Sequence, residues 1–344
     1  MSSLALACSA QPVPDHRSHP TPPDHANANA AFEILVANQP VALGTFVASP
    51  ERPDSDSHRF FEVLTKASET HPPAERSADA LIYQVVTPDG ARHRARSLAT
   101  DRSTDLRLLR VSFRPDARGP EKRLGRPIPS QTQPESKPPP PGSFVSVPIP
   151  RSVPYTGIIA APPRPVPSDA KMGVFFAEGT PRPVVRAVQP GSGADAAGLQ
   201  RGDLLLRLDE TPTPTPLAVI DALQSQPRYP GDAVTVTFQR ATPNPARDRL
   251  QTLTRKVELG RAPPAPTNRE QRLESHAPPT SGRASGFPLA LPADAPVPAQ
   301  HCGGPVYALD GRFLGMAIAR SGRTETLILP PDQIAQALER MRAR

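Results

Sequence analysis

The sequence predicts a mainly β protein assembled from small modules, and three observations carry that prediction. Prolines number 49 in 344 residues while aromatic residues make up 4% and tryptophan is absent. That composition cannot fill one large core and suits compact β-rich units joined by proline-stiffened linkers. Short β-branched runs recur at regular spacing with turn residues between them, and helical periodicity is confined to short stretches.

Taken in order, residues 1–10, "MSSLALACSA", read as the tail of an export signal, small and apolar with a cleavage-like A-C-S-A. They lack a basic region, and the run is too short to span a bilayer, so no stable membrane span is expected anywhere. Low complexity through residue 30 predicts a disordered N-terminal segment, 1–30. From "FEILVANQPVALGTFVASPERPD" onward, the runs "RFFEVLTKASE", "DALIYQVV" and "DRSTDLRLLRVSF" read as strands, with Pro88-Asp89-Gly90 as a hairpin turn. Their regular succession predicts a small β-barrel. Residues 126–142 read as a proline-rich linker, "SFVSVPIPRSVPYTGIIAAPP" resumes strand character, and 261–285 form a second linker. The C-terminal "PDQIAQALERMRAR" is an amphipathic helix opened by Pro331 and Asp332, with Ile334, Leu338 and Met341 as its packing stripe.

Several function classes are disfavoured. The formal charge is +7, but the arginines are scattered and accompanied by 33 acids, which does not point to a nucleic-acid partner. Cys8 and Cys302 make no disulfide framework. No glycine loop has a dinucleotide-binding context and no His/Cys/carboxylate cluster has metal-ligand spacing, so neither cofactor nor metal is expected.

The stretch "PGSGADAAGLQRGDLLLRLDE" combines a short helix, a glycine cap at Gly198, Leu199 turned to the core and a Gly202-Asp203 turn into a strand. With "KMGVFF" before it and "PLAVIDALQSQ" after it, residues 170–260 resemble a PDZ domain of the kind attached to HtrA-type proteases, a β-sandwich with two short helices. The resemblance implies that a peptide C-terminus adds a strand in a groove. Met172, Gly173, Val174, Phe175 and Phe176 would form one wall, and Leu217, Ile220 and Gln224 on the second helix the other.

Both flanks are similar to the trypsin-like double barrel of HtrA proteases. "PADAPVPAQHCGGPVYALDGRFLG" aligns on the nucleophile region, with Asp294, Gly303, Gly304, Pro305, Asp310, Gly311 and Gly315 matching. Cys302 stands at the serine position and Gln300 at an oxyanion glycine. "STDLRLLRV" puts Asp105 at the triad aspartate, and "LTKASE" puts Ser68 where the histidine belongs. The resemblance implies a degenerate barrel over 31–161, a C-terminal segment of the same kind over 286–344, and a PDZ inserted between them. Whether the two flanks close into one double barrel is not decided by sequence. A protease needs an imidazole base and shaped oxyanion donors, so the expected function is a non-catalytic, periplasmic, cell-envelope or secreted protein that binds peptide C-termini or unfolded segments. The alternatives are an endopeptidase using Cys302, with an imidazole from His71 or His301, and a structural or homo-oligomeric role.

Overall fold

The computed structural model describes residues 31–47, 59–70, 83–113, 127–128, 138–241, 250–261 and 279–343. The expected disordered segment 1–30, Cys8, His71 and most of both expected linkers lie outside the described residues. The protein is mainly β, with barrel sheets flanking an inserted module.

Strands β1 (Ala31–Val36), β2 (Gln39–Val47), β3 (Arg59–Lys66), β4 (Tyr83–Val86), β5 (Arg92–Asp101) and β6 (Leu106–Phe113) close into a barrel in the order β1-β2-β3-β6-β5-β4. Strand alternation sends Phe32, Ile34, Phe61, Val63, Val85, Leu109 and Val111 into its interior. The turn at Pro88-Asp89-Gly90 joins β4 to β5, with Gly90 at φ +87°.

Strands β7 (Phe144–Val147), β8 (Tyr155–Ile159) and β9 (Arg164–Val166) begin a second sheet. The chain then leaves it for β10 (Ala170–Lys171), β11 (Val174–Phe176), β12 (Val185–Val188), helix α1 (Gly193–Ala196), β13 (Leu204–Leu208), β14 (Thr211–Pro212), helix α2 (Pro216–Gln224), β15 (Ala233–Ala241), β16 (Leu250–Glu258) and β17 (Gly260–Arg261). These elements pack around their own core, which includes Val185, Leu199, Leu205, Val219, Val236 and Phe238.

The chain returns through β18 (Phe287–Asp294), β19 (Pro305–Ala308), β20 (Phe313–Arg320) and β21 (Glu325–Leu329), giving the sheet order β21-β20-β19-β7-β8-β18-β9. An additional pairing of β18 with β21 closes six of these strands into a second ring. Helix α3 (Pro331–Arg342) seals the seam between the barrels. Ile334, Ala337, Leu338 and Met341 share one apolar cluster with Val47, Leu64 and Leu108 of the first barrel and Met316, Ile318 and Leu329 of the second. Arg340 binds Asp101 at 2.9 Å and Arg342 binds Glu62 at 2.7 Å, fastening the helix end to the first barrel.

Two stretches read as linker are partly packed. Ile128 is 3% exposed and bridges Val47. Ser281, Arg283, Ala284 and Ser285 are buried: Ser281 bonds Arg320 of the second barrel, Arg283 the carbonyls of Arg102 and Ser103 of the first, and Ser285 the Asp169 carboxylate beside the inserted module.

Candidate functional site

Two places could carry function: the cleft of the inserted module and the barrel junction around Cys302.

The cleft lies between β11 and α2 and has a volume of about 760 Å³. Helix α2 begins at Thr215, whose side chain accepts from the Ala218 N–H, with Pro216 supplying a preset φ at the first turn. Strand β11 pairs only with β12 among the described residues, leaving its other edge toward the cleft without a partner strand. Such an edge is a template for an added strand. Met172 is buried at the cleft's base, Val174 and Phe176 are partly buried along it, and Phe175 is 50% exposed. Gly173 has φ +85°, and a Cβ there would sit 2.2 Å from the Cβ of Ser192, so only glycine lets the chain pass.

On the opposite wall Ile220 and Gln224 line the cleft, together with Val219 and Leu223. Leu217 is 64% exposed and stays outside the lining. The i, i+4 pair Val219–Leu223 was the readable signal for this inner stripe, while Pro167, Pro227 and Arg228 reach the cleft end only through tertiary contact.

At the barrel junction, the Asp105 carboxylate is buried and accepts three hydrogen bonds. Ser68 donates through its N–H at 2.9 Å and its hydroxyl at 2.8 Å, and the fully buried Lys66 ammonium donates at 2.7 Å. Lys66 also donates to the Arg283 carbonyl at 2.8 Å. Ser68 and Asp105 are thus adjacent, as the alignment implied, and Lys66 is the member that sequence reasoning missed. It follows β3's alternation into the junction and carried no motif.

Cys302 is fully buried. It follows a 3-10 turn over Ala299–His301, and its own N–H is spent on the Ala299 carbonyl at 3.0 Å. Its thiol lies 3.8 Å from the Pro298 carbonyl and 3.7 Å from the Ser281 hydroxyl. Burial pushes the thiol pKa up to about 11, against the pull of the Lys66 charge and the Ser281 hydrogen bond. Gly303, at φ +98°, passes 2.1 Å (measured from an added Cβ) from the Leu43 carbonyl, which locks the loop against β2.

The described histidines, His93 and His301, are engaged elsewhere. His93 packs edge-on against Phe61, and His301 Nδ1 meets the Tyr155 hydroxyl at 3.1 Å. Burial lowers the His301 pKa, more than the Glu33 charge raises it.

Arg283 crosses between the two places. Its guanidinium lies 3.6 Å from the centre of the Tyr229 ring and 4.8 Å from that of Phe287. It donates to the carbonyls of Arg102, Ser103, Ser285 and Gly286. Desolvation lowers its pKa, opposed first by the Asp105 charge. Tyr229 follows Pro227 and Arg228 of the cleft, so the end of the cleft and the junction share this one buried cation.

Among the described residues no group of three or more His, Cys, Asp or Glu side chains could hold a metal, and no helix is long and apolar enough to cross a membrane. Residues 184–240, from the start of β12 into β15, match the PDZ domain family. No curated protein matches the chain.

Proposed function

We propose that this chain is a non-catalytic, HtrA-derived peptide-binding protein of the cell envelope or the exterior, whose PDZ module captures polypeptide C-termini or unfolded segments ending in an apolar residue. The observation that carries the reading is the β11 edge that no other described strand pairs with, facing an apolar cleft walled by Ile220 and Leu223. A strand added there would satisfy its own backbone groups on β11 and bury its terminal side chain against the wall.

The junction supports the non-catalytic half. General-base catalysis needs a group with spare proton affinity next to the nucleophile. The aspartate here is already saturated by Lys66 and Ser68, the thiol is buried and hard to ionise, and its N–H is committed to Ala299 rather than presented to an oxyanion.

Fluorescence polarisation tests the reading. Peptides ending in a free Val, Leu or Phe carboxylate bind wild type, amidation of that terminus weakens them at least about tenfold, and Ile220→Glu abolishes binding; each tenfold corresponds to about 1.4 kcal/mol. Equal binding of amidated peptides, or full binding by Ile220→Glu, refutes it. Cleavage of unfolded casein by wild type but not by Cys302→Ala would restore the protease reading.

A further inference from the structure

One end of the PDZ cleft is held from outside the module's own core. Pro167 and Ser168 line it on one side, Pro227 and Arg228 on the other, and none of the four belongs to the module's apolar cluster. Arg228 donates to Asp209 at 2.8 Å within the module, and the Ser168 hydroxyl donates to the Arg228 carbonyl at 2.5 Å, joining the two sides. The strip that precedes β18 fastens both. The Gly286 N–H donates to the Pro167 carbonyl at 3.2 Å, and the Ser285 hydroxyl accepts the Asp169 N–H at 3.2 Å and donates to its carboxylate. On the other side the Arg283 guanidinium covers the ring of Tyr229, the residue after Arg228, at 3.6 Å. A Cβ added to Gly286 would lie 2.6 Å from that ring, so strip and ring are already in contact. Arg283 is in turn fixed to the first barrel through the Arg102 and Ser103 carbonyls. Arg102 also pairs with Asp232, whose carboxylate accepts the Tyr229 N–H at 2.9 Å.

We infer that Arg283 is a positioning residue for ligand selection: through Tyr229 and the strip it fixes the wall that meets a captured chain's last side chain, so the choice among C-terminal residues is made at the barrel–PDZ junction. The inference rests on the capture reading, with the added strand antiparallel to β11. Such a strand ends beside Gly173, where β11 begins. The cations Lys171 and Arg228 line that end and suit a terminal carboxylate, Arg228 while shared with Asp209. Arginine fits the task because its planar head stacks on a ring with one face and donates to carbonyls from its edge. A wall held this way retreats before a larger side chain only by giving up a buried stack and buried hydrogen bonds. Walls that cannot repack select by size, whereas mobile ones accept many partners.

Fluorescence polarisation on the full chain, with peptides that differ only in a terminal Val, Leu or Phe, tests the inference. Wild type separates its best terminus from its worst by at least about tenfold, and Arg283→Met narrows that ratio to about threefold or less. Tyr229→Leu, which removes the stacked ring and leaves the guanidinium in place, narrows it likewise. The double variant goes no further, since both act through one contact. Arg340→Met, which frees Asp101 on the first barrel and touches nothing in the cleft lining, keeps the wild-type ratio whatever it costs in stability. Far-UV circular dichroism checks each fold, and if Arg283→Met does not fold, Tyr229→Leu decides. Wild-type ratios in the folded variants, whether affinity falls uniformly or not at all, overturn the inference and leave peptide capture standing. Equal narrowing by Arg340→Met, or a wild type that binds all three termini alike, does the same. A wild type that binds none of the three removes the capture reading and the inference together.

Discussion

Removing Lys66 tests how the barrel junction is held. Its ammonium is fully buried and bonded to the Asp105 carboxylate at 2.7 Å and to the Arg283 carbonyl at 2.8 Å. In Lys66→Met the apolar stem is kept, but Asp105 becomes a buried charge whose remaining donors are the Ser68 N–H and hydroxyl. Truncating one partner of a buried pair costs about 3–5 kcal/mol. The two surviving hydrogen bonds place this case near the lower end, at about 3 kcal/mol. With a urea slope of about 2 kcal/mol per molar, the midpoint falls by roughly 1.5 M, read by far-UV circular dichroism. The double variant Lys66→Met, Asp105→Asn removes the stranded charge. Asn tolerates the left-handed backbone that Asp105 adopts at φ +58°, so the double recovers at least half of the loss. A single variant that loses under about 1 kcal/mol, or a double less stable than the single, refutes the assignment of Lys66 as the counter-charge of Asp105.

Three further outcomes follow from other contacts. With its pKa near 11, Cys302 is thiolate in about one part in ten thousand at pH 7, so native-state alkylation by iodoacetamide is at least roughly a hundredfold slower than for a free cysteine and is unchanged in His301→Ala; a rate that titrates near neutrality contradicts the burial account. Gly173→Ala, whose Cβ would overlap the Ser192 Cβ at 2.2 Å at a positive φ, abolishes peptide binding in the polarisation assay while the barrels stay folded; unchanged affinity would show that the turn has other freedom. Burial tends to raise the Asp101 pKa from 3.8, but hydrogen bonds from Arg340, Thr104 and Ser103 outweigh it and the net shift is downward. The stability Asp101 contributes is therefore fully present above its unfolded value near 4 and is lost as pH falls through its lower folded value; Arg340→Met narrows that loss, measured as the difference in urea midpoint between pH 6 and pH 3.

Local conformational demands made much of this protein readable in advance. The PDZ turn sequence was legible because Gly191, Gly198 and Gly202 all adopt positive φ, at 74°, 76° and 94°, and few other residues accept that backbone. The strands of the first barrel were legible because they are sequential, alternate in polarity and are joined by short turns. The proximity of Ser68 to Asp105 was implied only by the resemblance of "LTKASE" and "STDLRLLRV" to the triad segments of HtrA-type proteases. In the cleft, Gly173, Ile220 and Gln224 were placed from strand and helix position, whereas the choice of Val219 and Leu223 over Leu217 depended on the rotation of α2, which its packing against β13 fixes.

What only the tertiary structure decided are the features made by residues far apart in the chain. The second barrel closes when β8 meets β18 and β18 meets β21, across an inserted module of about a hundred residues, and no local pattern encodes that return. Lys66 and Arg283 looked like an ordinary strand-end lysine and a linker arginine. Burial beside Asp105, Tyr229 and five chain carbonyls gives them their roles, because a charge acquires meaning only from the dielectric and the partners around it. Sequence by itself determined the backbone's local conformations, since those depend on neighbouring residues; the closed barrels and the saturated aspartate are properties of surfaces that exist only once the chain has folded.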